Sequence, residues 1–246
     1  MKFNLSYGKI SVSFIITKKI FLKYDNFIFI IMSSNNKNNF HIGCGYTIGK
    51  NWLNYDSSPV AAIERVPILK MIIKLNSTKF PKGVRYGNIV KNLLCEENTA
   101  NNIYCSHVSE HVPLNDGKKM LKNIYRMLKT GGILRIIVPS LEGRVEKYIQ
   151  NKDAHSFIES LGCFKSNENE NFVKKLRFLF GGSRHKWMFD KNSLYDELRD
   201  AGFDNNKIRE CEFGDSGLDI FSEVEDKGRF VESNGELKAV AFHCIK

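Results

Sequence analysis

The sequence predicts an α/β fold in which helices cover both faces of a mainly parallel β-sheet. From Phe40 onward, short apolar runs alternate with segments whose apolar residues recur every three or four positions. This alternation is typical of parallel strands joined by right-handed crossover helices. The chain has 246 residues, of which 42% are hydrophobic and 26% charged. It is therefore large enough to bury the core of one such domain.

Seven strands and the helices between them follow from this pattern. The strands are predicted at residues 40–42, 52–55, 84–86, 103–105, 133–138, 208–213 and 237–245. Helix 117–129 has one apolar face, and Gly131 and Gly132 are expected to end it. Another helix is expected at 194–201, with Ser193 as its N-cap. Ligands of such sheets bind beyond the carboxyl ends of the strands, so the residues that follow each strand are the site candidates.

The first segment of the chain is expected to lie outside this domain. Lysines interrupt the apolar pattern of residues 1–31, and no run approaches the roughly 18 apolar residues of a membrane span. The missing small-residue cleavage site argues against a signal peptide. We expect a poorly ordered or non-native extension at 1–31 and one domain over 32–246. An extra strand within the extension is the alternative.

Net charge and cysteine content select no partner. The formal net charge is +10, but much of this excess lies within residues 1–31. Basicity alone therefore does not indicate a nucleic-acid-binding protein. The six cysteines are scattered, and the closest pair is ten positions apart. This spacing excludes a CxxC motif and a dense disulfide framework, so reduced thiols in a cytoplasm are expected.

A glycine-rich loop and a carboxylate follow the first two predicted strands. Gly43, Gly45 and Gly49 are spaced as GxGxxxG, so the backbone can approach a ligand closely. The spacing differs from the GxGxxG of dinucleotide-binding proteins, and a turn without a ligand is the alternative. Asp56 ends the next strand, where a carboxylate can accept hydrogen bonds from the two hydroxyls of a ribose. A turn residue is the alternative there.

Five motifs in this order carry a family resemblance. They are HIGCG at 41–45, NWLNYD at 51–56, YCSHVSEH at 104–111, LKTGGILRIIVP at 128–139 and HKWMFD at 185–190. Over some two hundred residues, they resemble the class I S-adenosylmethionine-dependent methyltransferases. The similarity is greatest to the methyltransferase-11-like group, which is often associated with glycan modification.

The resemblance implies a cofactor, a topology and a set of cofactor contacts. The implied fold is a Rossmann-like three-layer sandwich with a mainly parallel seven-stranded sheet and an antiparallel last strand. The implied cofactor is S-adenosyl-L-methionine. Gly43, Cys44 and Gly45 would face its methionine moiety and ribose, and Asp56 would hold the ribose hydroxyls. Asn88 stands where such enzymes often place an Asp against the adenine amino group, and its side-chain oxygen can still accept a hydrogen bond.

The segment after the fourth strand holds the candidate closest to the transferred methyl group. On this resemblance His107 lies over the methyl group, where it could act as a general base if the acceptor is a hydroxyl or a protonated amine. Glu110 and His111 would orient His107 or anchor the loop. The same residues match H-x-x-E-H, a zinc-protease pattern. That pattern needs a continuous helix, which the preceding strand and Pro113 disfavour.

The acceptor is expected to contact a helical insertion at 141–190, where this fold commonly carries substrate recognition. A basic and aromatic rim suits an anionic acceptor. Lys174 and Lys175 have an alternative role on the solvated face of a helix. Arg184, His185 and Trp187 are the predicted substrate-binding residues; the last two belong to HKWMFD.

The predicted reaction is in-line transfer of the methyl group from S-adenosylmethionine to a small-molecule or glycan-type acceptor. No binding motif or appended domain supports a nucleic acid as the acceptor. Two alternatives stay open. Because Asn88 replaces the usual Asp, one alternative is a degenerate methyltransferase-like module that binds the cofactor without turnover. A nicotinamide-dependent oxidoreductase would share the sheet and the ribose carboxylate, but the glycine spacing and the two late strands argue against it.

Overall fold

The centre of the structure is a seven-stranded sheet, seen in a computed structural model that describes residues 38–58, 61, 80–163, 184–232 and 237–246. Its strands are β1 (Asn39–Ile42), β2 (Leu53–Asp56), β3 (Val84–Tyr86), β4 (Ala100–Ser106), β5 (Leu128–Val138), β6 (Ile208–Glu210) and β9 (Val240–Ile245). Strands β7 (Val231–Glu232) and β8 (Leu237–Lys238) form a separate antiparallel pair. The order across the large sheet is β3-β2-β1-β4-β5-β9-β6.

Strand direction confirms the predicted topology. Neighbouring strands from β3 to β5 are parallel. Strand β9 lies between β5 and β6 and runs antiparallel to both. This is the Rossmann-like sheet with an antiparallel last strand. Because β1 lies between β2 and β4, the strand order reverses beside β1, at the point where ligands of such folds bind.

Helices and short turns connect the strands. The helices of the described residues are α1 (Leu114–Met127), α2 (Leu141–Asn151), α3 (Ala154–Ser160), α4 (Lys191–Ala201) and α5 (Lys227–Phe230). Three 3-10 turns lie at Ser109–His111, Asn205–Lys207 and Asp219–Glu223.

One face of the sheet packs against α1 and α4. Met120, Ile124 and Leu198 are fully buried on these helices, in one apolar cluster with alternate residues of the strands such as Ile103 and Leu134. In a strand, successive side chains point to opposite faces of the sheet. The neighbours of these apolar strand residues therefore face the other side.

That other face carries a row of polar side chains, which we call the polar row. It crosses six neighbouring strands in direct register, in the order Asn54, His41, Tyr104, Arg135, His243 and Arg209. The first five of these are buried. Trp52, Phe221, Val224 and Phe230 form an apolar cluster on the same face, so the segment from 219 to 230 covers the row.

The structure corrects the predicted end of the helix 117–129. This helix, α1, begins at Leu114 and ends at Met127, and strand β5 follows directly. Gly131 and Gly132 lie inside β5, where Gly131 has φ +76°. A Cβ on Gly132 would lie 2.9 Å from the carbonyl oxygen of Ala100. The two glycines thus allow an irregular, close approach between β5 and β4 and do not end a helix.

Two smaller predictions are also corrected. Helix α4 begins at Lys191, and its N-cap is Asp190, whose carboxylate accepts from the N–H of Ser193 at 2.8 Å. The hydroxyl of Ser193 accepts from the N–H of Asp190 in return, which completes a capping box. Strand β6 ends at Glu210, three residues before the predicted end at 213.

Part of the predicted domain organisation lies outside the described residues. This holds for the extension at 1–31 and for residues 164–183 of the insertion, which include Lys174 and Lys175. The described parts of the insertion contain helices α2 and α3.

Candidate functional site

The predicted cofactor residues lie together at the carboxyl edge of the sheet. The glycine loop follows β1, Asp56 ends β2, and His107 follows β4. Parallel strands bring these three points to one edge, beside the reversal in strand order. The geometry of each group shows what it can do there.

The first two glycines of the loop have different structural roles. Both have a positive φ, +66° at Gly43 and +52° at Gly45. A Cβ on Gly43 would lie 2.2 Å from Cγ2 of Val108, whereas a Cβ on Gly45 would meet no atom of the described residues within 4 Å. Gly43 therefore lets the loop pack against the residues that follow β4. On the side of Gly45, the described residues leave space that can receive a ligand.

Asp56 is tied to the glycine loop through its side chain. Its Oδ2 accepts a hydrogen bond from the N–H of Gly45 at 3.0 Å, and its Oδ1 accepts from the N–H of Ser58 at 2.7 Å. A carboxylate offers about four lone-pair sites. Each oxygen thus keeps capacity for one more donor, which matches the two vicinal hydroxyls of a ribose.

Cys44 lies between the two glycines with its side chain buried. Its backbone N–H donates to the carbonyl of Tyr55 at 3.0 Å, which joins the loop to β2. Burial and the nearby carboxylate of Asp56 raise the pKa of the Cys44 thiol to about 12. The thiol stays protonated at neutral pH, so Cys44 packs the loop and does not act as a nucleophile.

Asn88 caps the turn that follows β3. Its Oδ1 accepts hydrogen bonds from the backbone N–H groups of Val90 at 3.0 Å and Lys91 at 3.2 Å. The oxygen expected to face the adenine amino group is thus already engaged by two main-chain donors. The adenine contact of Asn88 stays a prediction.

His107 follows β4 directly and has an unusual backbone conformation. Its φ is +54°, a left-handed conformation in which His is enriched among non-glycine residues. Its Nε2 lies 2.9 Å from the carbonyl oxygen of Arg229, and its Nδ1 lies 3.3 Å from Oε1 of Glu110. Burial opposes a charge on the ring, but the adjoining Glu110 outweighs it, so the pKa of His107 is raised.

Glu110 is surrounded by three histidines. Its side chain is fully buried. His111 Nε2 lies 3.8 Å from the same Oε1 that faces His107. The rings of His111 and His185 meet edge to face, with centroids 5.1 Å apart. The sequence pattern indicated the first two histidines, but nothing in it indicated that His185 would join them.

The zinc-protease alternative does not fit this geometry. That pattern requires both histidines of H-x-x-E-H on one face of a continuous helix. Here Ser109–His111 is a single 3-10 turn, and His107 precedes it in a left-handed conformation. The two histidines therefore do not share a helix face.

The three residues predicted to bind the acceptor are anchored beside Glu110. The backbone N–H groups of Lys186 and Trp187 donate to the carbonyl of Glu110, at 2.6 and 3.3 Å. The Trp187 side chain is 42% exposed, and Arg184 and His185 are partly buried. Burial lowers the pKa of His185. The loop 184–187 is thus held next to Glu110.

A large groove, not foreseen in the sequence, lies farther along the same edge. It has a volume of about 1230 Å³ and is lined by residues that follow β5, β6 and α5, among them Ser140, Phe213 and Val231. Four lysines and four glutamates also line it. The carbonyl of Arg229, within the wall-forming segment 227–231, contacts His107. His107 is thus in contact with the segment that supplies part of the groove's lining, although His107 itself does not line the groove.

Within the described ranges, no helix is both long and apolar enough to cross a lipid bilayer.

Comparison with known proteins identifies the family. The model of a family described as a methyltransferase domain matches residues 36–208. No curated protein matches the chain. A S-adenosylmethionine-dependent methyltransferase from Methanosarcina mazei is 15% identical, over 85% of this chain and 91% of that one, with a TM-score of 0.47. A possible histamine N-methyltransferase from Thermotoga maritima is 20% identical, over 93% and 97%, with a TM-score of 0.41.

A further similar structure is a S-adenosylmethionine-dependent methyltransferase from Archaeoglobus fulgidus. It is 12% identical over 85% of both chains, with a TM-score of 0.42. The family match covers well over half of the chain and favours neither a nicotinamide-dependent oxidoreductase nor an inactive binding module. The chain therefore belongs to the methyltransferase-domain family, and it is an enzyme of the class I type with S-adenosyl-L-methionine as its cofactor.

Proposed function

We propose that this enzyme methylates a small-molecule or glycan-type acceptor by in-line displacement at the carboxyl edge of β1, β2 and β4. One observation carries the proposal. The 3.0 Å hydrogen bond from the N–H of Gly45 to Asp56 joins the glycine loop to the carboxylate. It does so at the reversal in strand order, where His107 also lies.

The residues at this edge fit the cofactor. Gly43 and Gly45 bend the loop, the Cβ direction of Gly45 is open, and Asp56 keeps acceptor capacity on both oxygens. Gly43, Cys44 and Gly45 would line the methionine and ribose part, Asp56 would bind the ribose hydroxyls, and Asn88 would lie beside the adenine. When bound, S-adenosylmethionine supplies an electrophilic methyl group on a sulfonium sulfur.

His107 is the proposed general base for a hydroxyl or protonated amine acceptor. It is the first residue after β4, and its ring is held between Glu110 and the carbonyl of Arg229. Both contacts fix the ring in one orientation. Because a carbonyl oxygen only accepts, Nε2 carries a proton in this arrangement and Nδ1 faces Glu110, so His107 would have to leave one of these contacts before a ring nitrogen could take a proton from the acceptor. Much of the remaining rate enhancement would come from positioning, which is worth up to about 7–11 kcal/mol in favourable cases.

The lining of the groove favours a polyhydroxylated acceptor. Its mixed lining of lysines and glutamates offers donors and acceptors to hydroxyl groups, without the strong positive potential that a nucleic acid needs. Phe213 lines the groove with 47% of its surface exposed, and such a ring can pack against the apolar face of a sugar. The volume exceeds the ~300–1,000 Å³ of most small-molecule pockets, which suits an oligosaccharide.

The loop 184–187 would contact the acceptor as well, in addition to the groove. Trp187 offers an open aromatic surface, and Arg184 is the proposed partner for an anionic group on the acceptor. His185 would hold this loop in place through its contacts with His111 and Leu161. The six cysteines are unpaired, which supports the proposed cytoplasmic location.

Calorimetric titration of S-adenosylmethionine and S-adenosylhomocysteine tests the cofactor part. Wild type should bind both, and Asp56→Ala should weaken binding about 10–100-fold, the value of one or two charged hydrogen bonds. Asp153→Ala is the matched control, because this exposed carboxylate also accepts a backbone N–H, from Ser156, but far along the chain in the cap of α3. Equal binding by the two variants would contradict the site.

Saturation-transfer NMR with neutral oligosaccharides and sugar phosphates tests the acceptor part. Wild type should show transfer to at least one of these classes in the presence of S-adenosylhomocysteine. Phe213→Ser should reduce the transfer, whereas Ile158→Ser should not, because Ile158 is a similarly exposed apolar residue that does not line the groove. Transfer that survives Phe213→Ser unchanged would exclude this groove as the acceptor site.

A further inference from the structure

A buried carboxylate, Glu110, lies beside His107, the proposed general base. Glu110 is fully buried, with Oε1 lying 3.3 Å from His107 Nδ1 and 3.8 Å from His111 Nε2. Among the residues that the structure describes, neither of its oxygens meets the geometry of a full hydrogen bond. Burying an unpaired carboxylate costs several kcal/mol, so such groups are normally paired, protonated or bound to a metal ion. The surroundings of Glu110 decide between these possibilities.

The tautomers of two histidines near this carboxylate are fixed by main-chain carbonyl groups. His185 Nδ1 lies 2.7 Å from the carbonyl oxygen of Leu161, and His111 Nδ1 lies 3.2 Å from that of Arg184. A carbonyl oxygen only accepts, so both Nδ1 atoms carry the proton. The Nε2 atom of each neutral ring then keeps its lone pair. Metal-binding histidines are held in this way by a main-chain carbonyl or a carboxylate.

The ligand atoms of these residues converge on one point. One ligand atom each from Glu110, His111 and His185 lies within 4.8 Å of the other two. Two main-chain hydrogen bonds from the loop 184–187 to the carbonyl of Glu110 hold the two segments together. Small side-chain rotations would bring the three atoms to the mutual distances of a bound ion.

We propose that Glu110, His111 and His185 bind one divalent ion of the zinc type. Two imidazole nitrogens and one carboxylate oxygen are ligands that Zn²⁺ and neighbouring transition metals favour, whereas Mg²⁺ prefers a shell of oxygens. Three protein ligands leave a fourth coordination position open. The ion would offset the charge of Glu110 and join the turn after β4 to the loop 184–187.

Pairing with His107 is the competing explanation for the burial of the Glu110 carboxylate. Its Nδ1 lies 3.3 Å from Oε1 of Glu110, so a protonated His107 could pair with Glu110 without any metal. The metal site extends the proposed function, since methyl transfer as described above needs no ion at this point. A direct measurement of metal binding therefore separates the two, whatever the outcome for cofactor or acceptor.

Calorimetric titration of metal-free protein with ZnCl₂ tests the site, with Co²⁺ absorption as a spectroscopic readout. We expect one equivalent of Zn²⁺ per chain and a Co²⁺ spectrum of low coordination number. Zn²⁺ should also raise the melting temperature of wild type. Substituting a ligand should weaken Zn²⁺ binding by more than the ~10–100-fold that loss of an outer-shell partner causes.

The variants are His185→Gln and Glu110→Gln, with His155→Gln as the matched control because His155 is exposed on α3. The control should bind Zn²⁺ like wild type. His185→Gln lies in a loop and keeps the proposal testable if the buried Glu110→Gln fails to fold. Absence of a saturable single site in wild type, or equal Zn²⁺ affinity in His185→Gln and His155→Gln, would leave only the His107–Glu110 pair and overturn the proposal.

Discussion

At the scale of single residues, the site depends on backbone conformations that few side chains tolerate. Gly43, Gly45 and His107 all have a positive φ. The cost of a substitution at each position therefore depends on two separate quantities, the strain of the conformation and the space around the Cβ. Gly43 and Gly45 have similar φ values but differ in the space around the Cβ, so comparing them isolates the effect of space.

Alanine at Gly43 should destabilise the protein more than alanine at Gly45. Both variants carry the ~1 kcal/mol strain of a left-handed alanine. Gly43→Ala adds a clash with Val108, and such overpacking typically costs about 1–3 kcal/mol. Urea unfolding would measure the difference, and equal midpoints would contradict it. Gly45→Ala should instead weaken S-adenosylhomocysteine binding, because its methyl group enters the open space of the proposed cofactor site.

Asparagine at His107 should preserve the fold and reduce catalysis. Asn tolerates a left-handed conformation as well as His does, so the backbone stays unstrained, and the loss of the contact with the buried Glu110 should lower the free energy of unfolding by about 1–3 kcal/mol. Methyl transfer should fall by about 10²–10⁴-fold if the ring acts as a general base. Binding of S-adenosylmethionine, measured by calorimetry, should stay close to wild type. Unchanged turnover in His107→Asn would remove the base from the mechanism.

At the scale of elements, a buried ion-pair network attaches the segment 212–230 to strand β5. The fully buried Arg135 pairs through Nε with Glu225, donates to Asp215 Oδ1 at 2.9 Å and donates to the carbonyl of Glu212 at 2.8 Å. Its guanidinium also lies 5.6 Å from the ring centroid of Phe221. Arg135 therefore attaches much of the segment that covers the polar row to strand β5.

Arg135→Met should destabilise the protein by about 3–5 kcal/mol, because it leaves the buried carboxylate of Glu225 without its cationic partner and with the N–H of Gly214 as its remaining donor. The double variant Arg135→Met/Glu225→Met should recover part of this loss, since replacing both members of a buried pair with apolar residues is often nearly neutral. Thermal or urea unfolding of the two variants provides the comparison. A double variant less stable than the single one would contradict this account.

The strands and helix faces could be predicted from the sequence because local periodicity sets them. The run 133–138 and the apolar face of 117–129 both correspond to observed elements. The start of β5 at Leu128 could not be predicted, because the chain there pairs with Ala100 and the glycines serve a contact with β4. Boundaries of this kind are decided by tertiary contacts.

The candidate site also has a part that the sequence pattern predicts and a part that it does not. Asp56 ends a strand, Gly43, Gly45 and His107 follow strands, and strand ends can be found from the pattern. The contact of Glu110 with His185 joins segments 75 positions apart in the sequence, so no local pattern could have indicated it. The groove that includes Phe213 was missed for the same reason.

At the scale of the whole molecule, two buried histidines of the polar row make stability depend on pH. Burial lowers the pKa of His41 to about 4. Burial, with Arg209 and Arg135 nearby and Asp215 opposing them, lowers the pKa of His243 to about 4 as well. Arg135 lies 3.3 Å from His243 Nδ1, a contact that suits a neutral ring. Both histidines are therefore neutral in the folded protein at pH 6.

Stability should fall as the pH decreases from about 6.5 to about 4. In this window the unfolded chain binds protons at these histidines and the folded chain does not, so acid favours unfolding. Each histidine contributes on the order of 3 kcal/mol across the window. Asn can replace Nδ1 as an acceptor, so His243→Asn should flatten the decline in unfolding free energy. The exposed His155→Gln should leave the decline unchanged.

The placement of β9 between β5 and β6 has a consequence for the protein during its synthesis. A ribosome releases β5 long before β9, so one edge of an eleven-residue, largely apolar strand waits without its partner. Bare strand edges of this kind pair with other chains and start aggregation, and a charged side chain directed inward is one natural defence. Arg135 stands at the middle of that edge. Chains truncated before β9 should therefore aggregate and sediment more readily when they carry Arg135→Leu. Unchanged sedimentation would show that Arg135 does not protect this edge before β9 is made.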